Sequence, residues 1–153
     1  MDSEPPIAET INSVSFPPPW ADALATDLRI LLVSPDLMAT SRIAGLCREA
    51  GATLATLRNL GDPPPVGPFD LALLDLQSLA DDPAVIVART RSVVAAQNQA
   101  DGRQAMVVAF GPHVAKERLG LARDAGADDA VSRGELLGGF AGLLRRWLPN
   151  QGS

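Results

Sequence analysis

Five short apolar runs recur along the chain, each but the second followed by a stretch of helical periodicity, and this alternation constrains the fold most. Short apolar strands separated by amphipathic helices pack as a parallel sheet with helices on both faces, because each crossover must return the chain to the same end of the sheet. The runs fall at residues 29–33, 52–57, 69–76, 106–110 and 128–132. Most are nearly continuous in Val, Leu, Ile and Phe, as strands buried on both faces must be. Ser34-Pro35-Asp36 opens the first helix with a capping residue and a proline in its first turn, and Gly51 closes it. Further helices are predicted over 83–99, from about His113 to Ala125, and over a last segment. There Leu136, Phe140, Leu143, Leu144 and Trp147 repeat at helical spacing on one stripe. The stretch 61–68 (Gly-Asp-Pro-Pro-Pro-Val-Gly-Pro) cannot be a helix, so a Pro-rich loop is expected where the second helix belongs.

The domain is therefore read as 27–149, a five-stranded parallel α/β sheet, preceded by a Pro-rich arm at 1–26 and followed by a tail at 150–153. The arm holds Pro17-Pro18-Pro19 between Phe16 and Trp20, a pattern that favours extended polyproline geometry. It reads either as a loose terminus or as a segment that Phe16 and Trp20 pin to the domain or to a partner. Apolar residues make up 46% of the chain, which excludes a wholly disordered protein. The formal charge of −5 argues against nucleic-acid binding, which favours a basic field. Cys47 and His113 are the only residues of their kinds, so an internal disulfide is impossible and a Cys/His zinc site is not expected. No membrane span or secretory leader is read, and a cytoplasmic address is expected.

In such sheets, ligands gather at the carboxyl ends of the strands. The candidates are Ser34, Pro35 and Asp36 after the first strand, Asp75 at the end of the third, Gly111 after the fourth and Arg133 after the fifth. The segments Asp70-Leu71-Ala72-Leu73-Leu74-Asp75 and Ala125-Gly126-Ala127-Asp128-Asp129, with the separations from Gly111 to Gly126 and from Gly126 to Arg133, resemble response-regulator receiver (CheY-like) domains over roughly 28–148. The resemblance implies a flavodoxin-like fold with a phosphate-accepting carboxylate at Asp75. It also implies an acidic pair that holds Mg²⁺, a switch hydroxyl and a Lys-Pro. Here those positions read Ser34-Pro35, Gly111 and Arg133-Gly134. Mg²⁺ seeks several oxygen ligands, and phosphoryl transfer relies on its charge.

The expectation is a degenerate, stand-alone pseudo-receiver that works by protein–protein interaction. It would be without enzymatic activity, cofactor or metal, and its partner would be an unidentified signalling protein or a second copy. Asp75 would then be a carboxylate satisfied by backbone N–H groups or by Arg133, and Asp36 a helix cap. Two alternatives stand beside it: an atypical receiver phosphorylated on Asp75 with help from Asp36, and a flavodoxin-like small-ligand site involving His113. A Ser34–His113–Asp75 triad lacks the turn that would present its nucleophile. The resemblance also implies an interaction surface on the last strand and helix, here near Arg145 and Arg146, with Leu137 and Leu148 as its exposed apolar members. Cys47 is read as a packed core thiol, and no output domain is expected after Leu148.

Overall fold

The computed structural model describes residues 28–149; the Pro-rich arm, with Phe16 and Trp20, and the tail lie outside the described residues. The strands are β1 (Arg29–Val33), β2 (Thr53–Leu57), β3 (Leu71–Asp75), β4 (Met106–Gly111) and β5 (Asp129–Ser132). The helices are α1 (Leu37–Ala50), α2 (Pro83–Asn98), α3 (Lys116–Asp124), α4 (Arg133–Gly138) and α5 (Phe140–Trp147). All strands are parallel, in the order β2-β1-β3-β4-β5. The chain therefore reverses direction between β1 and β3, the crevice where such sheets hold their chemistry.

Side-chain alternation splits the core in two. Ile30, Leu32, Leu71, Leu73, Val108 and Phe110 pack under α1, α4 and α5, whereas Leu31, Val33, Ala72, Leu74, Val107 and Ala109 pack under α2 and α3. Burying each large apolar side chain contributes roughly 1.5–3 kcal/mol, so these two layers supply most of the driving force. Cys47 lies in the first layer, and burial pushes its thiol pKa up to about 12.

Local signals set the helix ends. Asp36 Oδ1 accepts the Met38 N–H at 2.9 Å, and Gly51 closes α1 at φ 77°, the left-handed conformation glycine adopts at no steric cost. Ser132 and Glu135 form a reciprocal capping box at the start of α4. Two sequence expectations need correction. The third helix starts at Lys116, so His113 lies exposed in the turn before it and not in its first turn. The last helix is also two helices, broken at Gly139 (φ −134°, ψ 31°), the second of a glycine pair, a residue type that only proline exceeds in disfavouring helix. The apolar stripe survives the break, since Leu136, Phe140, Leu144 and Trp147 are all buried.

Between β2 and β3, residues 58–70 contain no helix. This connector is held by side chains from elsewhere. Arg29 Nε and Nη2 donate to the carbonyls of Pro68 (2.9 Å) and Val66 (3.1 Å), and its guanidinium lies 5.8 Å from the Phe69 ring centre. Gln97 Oε1 accepts the Gly67 N–H at 2.9 Å. Buried Asn98 accepts the Phe69 N–H at 2.7 Å and donates to the carbonyls of Phe69 (2.8 Å) and Arg103 (2.9 Å).

Candidate functional site

The site lies where β1, β3 and β5 end. Asp75 closes β3 opposite Phe110 and is fully buried. Its Oδ2 accepts the Ser34 hydroxyl at 2.7 Å; its Oδ1 accepts the backbone N–H groups of Gln77 (3.1 Å) and Ser78 (3.3 Å). Arg133 Nη2 stands 3.8 Å from Oδ1, an ion-pair distance beyond hydrogen-bond reach. A buried carboxylate must be neutralised or hydrogen-bonded, and this one is both.

Each donor is placed by a local device. Ser34 follows β1 directly, and its N–H donates to Leu57 O at 3.0 Å, which fixes it beside β2. Its hydroxyl also accepts the Asp36 N–H at 3.1 Å, so a short relay runs from the Asp36 amide through Ser34 to Asp75. Asp36 directs its carboxylate to the α1 cap, and the Pro35 carbonyl accepts from Arg58 at 3.2 Å. The capping box at Ser132 sets Arg133 as the first residue of α4. Arg133 Nε and Nη2 are buried without hydrogen-bond partners. The same side chain borders a cavity of about 260 Å³ between α1 and α4, with Arg42, Phe110 and Leu137.

Gly111 ends β4 opposite Ser132, and a Cβ there would sit 3.7 Å from Leu76 Cβ and 3.9 Å from Leu119 Cδ2, ordinary contact distances. A small side chain fits, so the missing hydroxyl is not forced by packing. Magnesium does not fit these residues. No group of three His, Cys, Asp or Glu able to hold a metal occurs among the described residues. Of the Asp75 oxygens, one is engaged by Ser34 and the other faces two amides and the Arg133 cation, which would repel a divalent ion.

The structure thus gathers Ser34, Asp75 and Arg133, leaves Asp36 and Pro35 at the rim, and turns His113 elsewhere. His113 borders a separate groove of about 520 Å³ with Lys116, Arg123 and Glu135. The role of Ser34 as a direct Asp75 donor was not read from the sequence. Its one signal is a hydroxyl immediately after β1, adjacent in the sheet to β3. Asp70 and Asp128 act at the opposite end. Asp70 accepts the Arg29 N–H at 2.9 Å and pairs with Arg103 at 3.2 Å, while Asp128 accepts the Val107 N–H at 2.8 Å and pairs with Arg91 at 3.0 Å. These acids of the two family-like segments fasten strand starts.

On the last strand and helix, Arg145 is exposed, and Arg146 hydrogen-bonds Asp129, which also accepts Trp147 Nε1 at 2.9 Å. Burial raises the Asp129 pKa, but the hydrogen bonds from Trp147, the Ala130 N–H and Arg146 together outweigh it and hold the group below the usual carboxylate range. Leu137 and Leu148, expected to be exposed, are half-buried and pack against the α1–α5 layer. Leu137 lies in α4, whereas Leu148 is the capping residue just past the end of α5.

No family model matches the sequence, and no curated protein matches it. Solved structures do match. A two-component response regulator from Clostridium difficile superposes with a TM-score of 0.62 at 16% identity, covering 83% of this chain and all of that one (100%). The receiver domain of a sensor histidine kinase from Pseudomonas aeruginosa, solved with magnesium coordinated in its active-site cleft, gives 0.60 at 17% identity over 81% of this chain and 99% of its own. The receiver domain of the Saccharomyces cerevisiae response regulator Ssk1, co-crystallised with the phosphotransfer protein Ypd1, gives 0.62 at 16% over 83% and 92%. By strand order, helix placement and these superpositions, the chain has the fold of a response-regulator receiver domain.

Proposed function

We propose that this chain is a receiver-like signalling module that acts through protein–protein contact and is not switched by Mg²⁺-dependent phosphorylation of Asp75. The single observation that carries the reading is the occupancy of the Asp75 carboxylate: one oxygen bonded to Ser34, the other to two amides, with the Arg133 cation beside it. A phosphate acceptor needs an oxygen free to attack and a metal to neutralise the incoming charge. The capping role of Asp36 counts against a rescue by that residue. The receiver of Ssk1 was crystallised on a protein partner, which supports docking as the mode of action of such a fold. The surface we assign to the partner, or to a second copy, is centred on Arg145 and Arg146, with Leu137 and Leu148 contributing their open edges.

The test is incubation with Mg²⁺ and acetyl phosphate or beryllofluoride, followed by intact mass and amide NMR. No adduct and no shift of the Ser34, Asp75 or Gly111 amides is the expected result. An adduct at Asp75 that disappears in Asp75→Asn would overturn the proposal.

A further inference from the structure

The end of the sheet opposite Asp75 carries a groove that shares only Leu148 with the surface assigned to a partner. Two cavities, of about 460 and 290 Å³, share Arg91, Gln104 and Ala105 and run along the start of β4 from the last turns of α2 to the end of α5. Ala95, Ala105, Met106 and Leu148 supply apolar surface, and the amide side chains of Gln99 and Gln104 supply donors. Arg91 and Arg103 also line the groove, but their charge is already engaged, Arg91 by Asp128 in the smaller cavity and Arg103 by Asp70 and Asp101.

The chain enters the domain beside this groove. At this end of the sheet the Asp70 N–H donates to Arg29 O (2.8 Å) and the Met106 N–H to Asp70 O (2.9 Å). The entry point is therefore two strands from Met106, about 10 Å at ordinary strand spacing. Trp20 precedes Leu28 by eight residues, a reach of up to roughly 27 Å. The preceding segment is also chemically matched. Its charged residues are Asp2, Glu4, Glu9, Asp22 and Asp27, with no Lys or Arg, so it accounts for the whole net charge of −5. Within it, Phe16-Pro17-Pro18-Pro19-Trp20 offers two aromatic anchors around prolines that carry no N–H and leave their carbonyls in need of donors.

We infer that the groove at the β4 start is the seat of the chain's own Phe16–Trp20 segment. The aromatic rings meet Ala95, Ala105, Met106 and Leu148, and the proline carbonyls take hydrogen bonds from Gln99 and Gln104. This inference does not depend on how Asp75 behaves, since the two sites occupy opposite ends of the sheet.

The full chain allows the test. The emission of Trp20 is taken as the difference between the wild type and Trp20→Phe. A blue-shifted emission that resists acrylamide and does not change on dilution is expected. Ala95→Glu and Gln104→Glu each alter an exposed groove residue, the second also removing a donor, so the fold should persist by circular dichroism. Both should return Trp20 to the emission and quenching of a free tryptophan. Solvent-like Trp20 in the wild type overturns the inference, as does protection that survives both groove substitutions. Protection lost on dilution also overturns it, assigning the segment to a second copy.

Discussion

Replacing Arg133 by Met removes the cation beside Asp75 while keeping most of the side-chain volume. At 3.8 Å the pair would be worth about 4 kcal/mol at an effective dielectric of about 20. The Arg133 side chain is 32% exposed, so solvent screening reduces this to roughly 1–2 kcal/mol. An opposing term acts in the same residue: Nε and Nη2 are buried donors with no acceptor, and Met relieves their desolvation, at roughly 1 kcal/mol or more. The single substitution should therefore change stability by less than about 1 kcal/mol, and only a cycle with Asp75→Asn isolates the pair. Asn is tolerated geometrically. Its carbonyl can face the Gln77 and Ser78 amides while its NH₂ meets Ser34 Oγ, which can accept. Urea unfolding of the four proteins, followed by circular dichroism, should give a coupling of about 1–2 kcal/mol. Coupling below about 0.5 kcal/mol, within the additivity error of independent sites, would refute Arg133 as the neutralising partner.

Three further perturbations follow from the same geometry. Asn98→Ala strips three hydrogen bonds from buried or half-buried backbone and should cost roughly 2–4 kcal/mol, read as a lowered urea midpoint. Asp129 has a depressed pKa, so its stabilisation is present at neutral pH and is lost as pH falls below the usual carboxylate range through that lowered value. The stability gap between wild type and Asp129→Asn should accordingly shrink between pH 7 and about pH 3, and a gap that stays constant would dissociate Asp129 from the acid limb. Cys47, with its thiol held near pKa 12 in the core, should react with a disulfide reagent only at the rate of protein opening. Rapid labelling of the native protein would contradict its packing.

The central strands β1, β3 and β4 were legible because they are apolar runs buried on both faces, whereas β2, exposed at Thr53 and Thr56, showed as an alternation. The pairing of Asp75 with Arg133 was legible as well, since a carboxylate at the end of a central strand needs a cation and only one follows β5 immediately. The Ser34 bond was not, because it depends on the lateral adjacency of β1 and β3, which no local pattern encodes. The last helix read as continuous because its apolar stripe is in phase across Gly139; the interruption lies in backbone angles, to which a hydrophobic period is blind. His113 was misplaced for a related reason. The helical spacing does not mark where the helix starts, and the Ala115 N–H donates to Pro112 O at 2.9 Å in a turn that precedes it.

The connector between β2 and β3 is anchored at Gly67 and Phe69, whose amides borrow acceptors from the side chains of Gln97 and Asn98. Fraying of the final turn of α2 withdraws both acceptors at once. The deuterium uptake of those two amides should therefore follow the unwinding of a helix thirty residues downstream, as expected if the two regions open as one cooperative unit.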